Sequence, residues 1–351
     1  MILVGYASQP FAGSSPSIYD SFIGGSMVST DAVGCPPESL LLCRSCQRSM
    51  YFFAQLYCPL DFLSYHRNIF LFVCLRKSCQ SEGLNWVVLR SQSIDSGSSR
   101  LQIRSETEWA LDDDETEEPP TSGWKTSPGN TSVQCTSSDL PQLTGPFAGR
   151  FINVYEEQNI GNSNETDILR ATDSSPAPSS VESPNFAEWF ETANVELAFV
   201  EEDDNAPAEG FSGAMFDHLA SRGEYGCEDI RYSWRGVPIF NGSPPKELLR
   251  HLTCSRCGSH RVFEFQIFSA INNCLKLDVD KLHSSVLTAN VDLVGEDVDP
   301  SWLLQITTVL VFSCSSSCWT TSDTWVPECI VVQTDENKTC IRVDDHVVVC
   351  S

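Results

Sequence analysis

Large apolar residues fall in short runs near the two ends of the chain. The first part carries them at 50–57, 68–74 and 86–90, and the second at 261–267, 306–314 and 329–333. Runs of this length, rich in Val, Ile, Phe and Tyr, predict strands, and the Gly- and Ser-bearing connections predict antiparallel hairpins and meanders over parallel βαβ units. The runs also repeat in order. Cys43 and Cys46 precede one strand, a second strand runs into Cys74 and Cys79, and a third closes the unit; Cys254, Cys257, Cys314 and Cys318 hold the same places in the second part. The expected fold is therefore mainly β: two related, zinc-stabilised β-rich lobes, products of an internal duplication, packed together.

Between the lobes the pattern is lost. Residues 93–210 are rich in Ser, Thr, Pro, Asp and Glu and hold 24 acidic against 5 basic side chains, whereas the rest of the chain holds 23 against 17. Self-repulsion and few branched aliphatics leave too little apolar burial to offset ordering entropy, so a mostly disordered acidic insert is expected. The predicted organisation is an amino-terminal lobe over 1–92, the insert over 93–210 and a carboxy-terminal lobe over 211–345. One patch departs from the insert's composition. Phe186, Trp189, Phe190 and Leu197 lie with Val195, Phe199 and Val200 among acidic residues. That mixture fits a segment that folds into a partner's groove, or a helix tucked onto the folded body.

Charge narrows the function classes. The 351 residues carry 22 Lys and Arg against 47 Asp and Glu, a net charge of −25, which argues against a general phosphate-backbone binder and in favour of a basic partner. No apolar stretch reaches the roughly 18 residues that a membrane-spanning helix requires. The first residues show no basic, then apolar, leader pattern. A reducing cytoplasmic or nuclear setting is expected, and the 16 cysteines are read by spacing.

Two cysteines two residues apart on a tight turn aim both thiolates at one point, and a second pair from a neighbouring strand completes a tetrahedron around Zn²⁺. The predicted ligands are Cys43, Cys46, Cys74 and Cys79 in one site and Cys254, Cys257, Cys314 and Cys318 in the other, the latter followed at once by Gly258 as tight knuckles favour. Free thiols or disulfides are the alternative. Four thiolates leave no open coordination position, so the expected role of about two zinc ions is structural. Cys58 and His66 could supply a further metal or a nucleophile pair, with a core or turn role the better reading. No phosphate loop, nucleophile elbow, His-Glu-x-x-His helix or dinucleotide fingerprint occurs, and the chain is read as not an enzyme.

The motifs 57–60 (Tyr-Cys-Pro-Leu), 65–67 (Tyr-His-Arg), 70–74 and 86–92 resemble the amino-terminal part of the programmed cell death protein 2-like family. Arg231, Tyr232, 234–240, 254–258, 261–266 (Arg-Val-Phe-Glu-Phe-Gln) and 314–319 resemble its carboxy-terminal domain, and 3–5 and 23–25 join the likeness. Glu228 and Asp229 stand where the family usually has Pro-Gln. The resemblance implies a non-enzymatic chaperone or escort of a basic small-subunit ribosomal protein (S5-type, S2 in eukaryotic naming) in ribosome biogenesis. It also implies an adaptor for nuclear export of small-subunit precursors, shuttling between cytoplasm and nucleus and meeting a nuclear export receptor. Such an escort would neutralise its client and speed encounter. Tyr232, Trp234 and Phe240 are its candidate anchors on the ordered lobes, with ordinary core the alternative for all three, and Phe186, Trp189, Phe190 and Leu197 its candidates in the insert. The alternative function is a zinc-finger regulator touching nucleic acid or a transcription partner through Arg44, Arg48, Arg67, Arg76 and Lys77.

Overall fold

The computed structural model describes residues 1–94, 132–134, 143–157, 215, 218, 228–276 and 304–350, apart from a few loop positions within those spans. Phe186, Trp189, Phe190 and Leu197 lie outside the described residues, as do the acidic runs at 112–118 and 201–204.

All six apolar runs are strands. The first part contributes β1 (Leu3–Pro10), β2 (Phe22–Ile23), β3 (Val28–Thr30), β4 (Tyr51–Tyr57), β5 (His66–Val73) and β6 (Trp86–Ser93). The stretch read as insert contributes β7 (Ser132–Gln134) and β8 (Arg150–Glu156). The last part contributes β9 (Ile230–Tyr232), β10 (Arg261–Phe268), β11 (Ile306–Cys314), β12 (Val326–Pro327), β13 (Cys329–Thr334), β14 (Thr339–Val343) and β15 (His346–Cys350). Among the described residues, the helices α1 (Lys77–Gln80) and α2 (Leu248–His251) are single turns. No helix among the described residues is long and apolar enough to cross a membrane.

Thirteen strands form one sheet in the order β12-β6-β5-β4-β2-β8-β1-β9-β10-β11-β13-β14-β15, while β3 and β7 pair separately. Each described pairing is antiparallel. The two meanders, β4-β5-β6 and β10-β11-β13, are copies of one unit even in detail. Each first strand shifts register once against its neighbour, between Phe52 and Ala54 in one and between Phe263 and Phe265 in the other. Gln55 and Gln266 hold the same place after that bulge, both fully buried, and each accepts a backbone N–H from a crossing segment, Val28 at 3.1 Å and Ile239 at 2.8 Å.

β8 lies within 93–210, the stretch read as a mostly disordered insert. It pairs with β1 on one side and β2 on the other, so it lies in the sheet between the two meanders. Its local alternation, with Ile152 buried and Asn153 exposed, is diluted by the acidic composition around it.

Pleating assigns successive side chains to opposite faces. From β5, Ile69, Leu71 and Val73 enter a central core with Val309, Val311, Ile330 and Val332 of the second repeat, while Phe70 and Phe72 enter an outer core against the first Cys cluster. In β11 and β13, Leu310, Phe312 and Val331 form the matching outer core with Phe240. Both faces are thus buried, which explains why the strands read as continuous apolar runs despite antiparallel pairing. The sheet bends back on itself: β12 pairs with the outer edge of β6, and Arg342 donates to the Trp86 carbonyl at 3.0 Å. The two lobes therefore share one interior.

Candidate metal centres and the seam between the repeats

Each repeat opens with a knuckle. The Cys43 N–H donates to the Arg48 carbonyl and the Gln47 N–H returns to the Cys43 carbonyl, both at 2.8 Å; in the second repeat Cys254 donates to Ser259 and Gly258 to Cys254. The closing residue must be left-handed, with φ of +55° at Gln47 and +74° at Gly258. Glycine adopts that region freely, and glutamine does so at a cost. The second ligand pair arrives on the end of the second strand, Cys74 after β5 and Cys314 in β11, with Cys79 on α1 and Cys318 after a tight turn.

The four sulfurs of each set, Cys43, Cys46, Cys74 and Cys79 and Cys254, Cys257, Cys314 and Cys318, lie within 4.8 Å of one another. A tetrahedron with metal–sulfur bonds of about 2.3 Å has edges of about 3.8 Å. The spacings observed are 3.8 Å for Cys46–Cys74, 3.7 Å for Cys254–Cys318 and 3.5 Å for Cys257–Cys314. Both clusters could hold a metal ion. Crowding of thiols splits their acidity: hydrogen bonding from Cys74 lowers Cys43 to about 5, while burial raises Cys79 to about 11. In the second cluster Cys257, hydrogen-bonded by Ser259, is lowered to about 6, and burial raises Cys314 and Cys318.

The second cluster is tied to the first repeat. Arg67 of β5 and Glu264, at the bulge of β10, form a two-pronged ion pair with both side chains 0% exposed. Arg67 Nε also donates to Ser317 Oγ at 3.1 Å, and that hydroxyl donates to Gln92 Oε1 at 2.6 Å. Arg90 of β6 donates to Glu328 at 2.7 Å, to Gln92, and to the Cys318 carbonyl at 2.9 Å. Glu328 in turn accepts the Cys314 N–H at 3.1 Å. Two arginines of one repeat therefore hold the loop that carries two thiols of the other. Buried charges demand such partners, since removing one member leaves an uncompensated ion. The sequence reading missed this seam. Its signal was present as charged residues inside apolar strand runs, Arg67, Arg90 and Glu264, where a solvated charge would interrupt the strand.

Arg67 therefore leaves the basic cluster considered for nucleic acid, because Glu264 neutralises it out of reach of solvent. Phe240 is corrected as well: it is 1% exposed and packs in the outer core with Leu248 and Phe312, so it offers no anchor to a partner. Tyr232 and Trp234 are half-buried and line a groove on the seam, with the Arg67 guanidinium 5.5 Å from the Trp234 ring centre. Cys58 packs in the central core. Burial pushes the Cys58 thiol well up, and His66 Nδ1 is hydrogen-bonded to the Tyr57 hydroxyl at 3.0 Å. Glu228 and Asp229 are buried: Glu228 pairs with His218 at 2.8 Å, and Asp229 accepts the Ala7 N–H at 2.7 Å.

Comparison with known proteins agrees with this duplicated plan. Residues 3–98 match the family model of the programmed cell death protein 2 amino-terminal domain, and residues 215–334 match that of its carboxy-terminal domain. Curated relatives called programmed cell death protein 2-like align along most of their length. The Gallus gallus protein is 26% identical over 87% of this chain and 86% of its own, and the Homo sapiens protein 24% over 96% and 97%. No solved structure matches. With one family domain matching in each repeat and the alignments covering 79–96% of the chain, it belongs to the programmed cell death protein 2-like family.

Proposed function

We propose that this protein is a non-enzymatic escort of a basic small-subunit ribosomal protein, of the S5 type called S2 in eukaryotes, during ribosome biogenesis. It shuttles between cytoplasm and nucleus, engages a nuclear export receptor as an adaptor for small-subunit precursors, and carries structural zinc in both cysteine clusters. The observation that carries the reading is the charge: a net of −25, most of it in residues 93–210, on a chain whose described residues include two four-thiol clusters that could hold a metal ion. A ribosomal protein before assembly is basic, and acidic chain neutralises it and speeds capture. The four-thiol donor set suits zinc and leaves no coordination position for catalysis. The regulator reading loses support with Arg67, the buried member of its basic cluster.

Affinity isolation of the full chain from cells, followed by mass spectrometry, is the test. One stoichiometric small-subunit ribosomal protein is expected, and its absence overturns the reading. Co-purifying nucleic acid, lost steeply with salt, would favour the regulator. Changing the acidic residues of 112–118 and 201–204 to Ser or Asn, which leaves β8 in the sheet, is expected to slow client capture at low salt while leaving the lifetime of the complex nearly unchanged, because such charge acts over about a Debye length. Elemental analysis is expected to find about two zinc ions per chain, one for each four-thiol set.

A further inference from the structure

A groove of about 430 Å³ lies on the seam between the repeats, within the size range of binding clefts. Its floor is built by three adjacent strands. Gly5 of β1 sits between Val154 of β8 and Ile230 of β9, and a Cβ there would lie 2.8 Å from Ile152 Cγ2, so the missing side chain makes the floor concave. One wall is the chain after β4, from Cys58 to Phe62, and Trp234 stands against Phe62 with ring centres 6.3 Å apart.

Exposed apolar surface concentrates here. Six large apolar side chains among the described residues are exposed, and three of them, Met1 at 84%, Phe62 at 56% and Val154 at 50%, line this one groove. Contiguous exposed apolar surface marks a binding site. Asp61 is the only charged side chain among the described lining residues, and Glu156, exposed and two positions from Val154, continues the same face of β8. Trp234 is held from beneath by Arg67, itself fixed by Glu264, so the anchor is ordered before any ligand arrives.

We propose that this groove is the docking site for an extended peptide segment of the client that carries apolar side chains flanked by Lys or Arg. The apolar side chains fill the floor over Gly5 and stack against Phe62 and Trp234, while the flanking cations meet Asp61 and Glu156. This inference rests on the escort reading for the nature of the partner and on the groove alone for the place and chemistry of contact.

The test titrates the full-length protein with fluorescent synthetic peptides: one apolar with flanking Lys and Arg, one with its apolar residues changed to Ser, one with its cations changed to Glu, and one copying residues 185–200. Saturable binding of the first alone is expected. Val154→Arg and Phe62→Ala, both at exposed positions, should each weaken it about tenfold or more, with Asp61→Lys weakening it by a similar factor. A circular-dichroism melt like that of the parent checks that each variant is folded. No binding of the first peptide, equal binding of the Ser or Glu peptide, or indifference to Val154→Arg and Phe62→Ala overturns the proposal. Tighter binding of the 185–200 peptide would overturn it by making the occupant the chain's own segment. Self-association abolished by Val154→Arg would overturn it by making the occupant a second copy. The two readings fail separately. A ribosomal client captured equally by wild type and Val154→Arg sinks the groove alone, whereas peptide binding with no ribosomal client in cells sinks the escort reading alone.

Discussion

The two repeats share a knuckle, a bulge and a buried glutamine, yet they differ at the bulged residue. In the first it is Phe53, which packs in the central core with its ring 5.0 Å from Trp86. In the second it is Glu264, which reaches Arg67 of the first repeat. The four-thiol clusters differ accordingly. The loop between Cys314 and Cys318 is held by Arg67 and Arg90 across the seam, whereas the first cluster sits in an outer core made mostly of its own repeat. Duplication supplied two equivalent units, and one substitution at an equivalent position turns apolar packing into an ionic clamp between them.

Metal removal should break the comparison most strongly. Structural zinc contributes on the order of 10 kcal/mol to folding, and acidification competes for the same thiolates. Cys79→Ser should unfold the first repeat, and Cys314→Ser should unfold the second and also release the amides of β5 and β6 across the seam in hydrogen-exchange measurements, since the loop after Cys314 anchors Arg67 and Arg90. Exchange confined to the second repeat in Cys314→Ser would mean that the seam does not couple the halves.

Next in size is the clamp. Glu264→Ala leaves Arg67 buried and unpaired and should cost about 3–5 kcal/mol in denaturant melts. Adding Arg67→Met should recover much of that loss, because the desolvated charge goes with it. Phe53→Ala should cost a similar 3–5 kcal/mol or so through its cavity, with no recovery from Arg67→Met. Equal additivity in the two double mutants would erase the distinction drawn between the bulges.

The smallest effects belong to the knuckles. Gly258→Gln should destabilise by about 1 kcal/mol, and Gln47→Gly should stabilise by somewhat less, because each exchanges glycine and a side-chain-bearing residue at a left-handed position. Thermal melts of the metal-loaded protein would register either shift, and matching signs for the two variants would contradict the shared geometry.

Local signals explain which of these features were legible beforehand. The strands of both meanders were readable because each apolar run spans a whole strand, and the eight clustered cysteines because a pair two residues apart constrains a knuckle wherever it occurs. β8 was not, since few buried residues such as Ile152 stand out within an acidic stretch. Phe240 could be read either as a surface anchor or as core, for an aromatic side chain suits both until its neighbours are known.

What the amino-acid sequence determined by itself is the duplicated β unit, its thiol sites and the placement of most negative charge in one stretch, because these depend on spacing and composition within a single segment. The pairing of Arg67 with Glu264, the seating of Arg90 on the Cys318 loop and the groove over Gly5 join residues far apart in the chain. Such pairs carry no mutual signal in one sequence: a buried arginine looks like an exposed one until the strand opposite brings a carboxylate within 3 Å or so, and only the tertiary structure decides which strand that is.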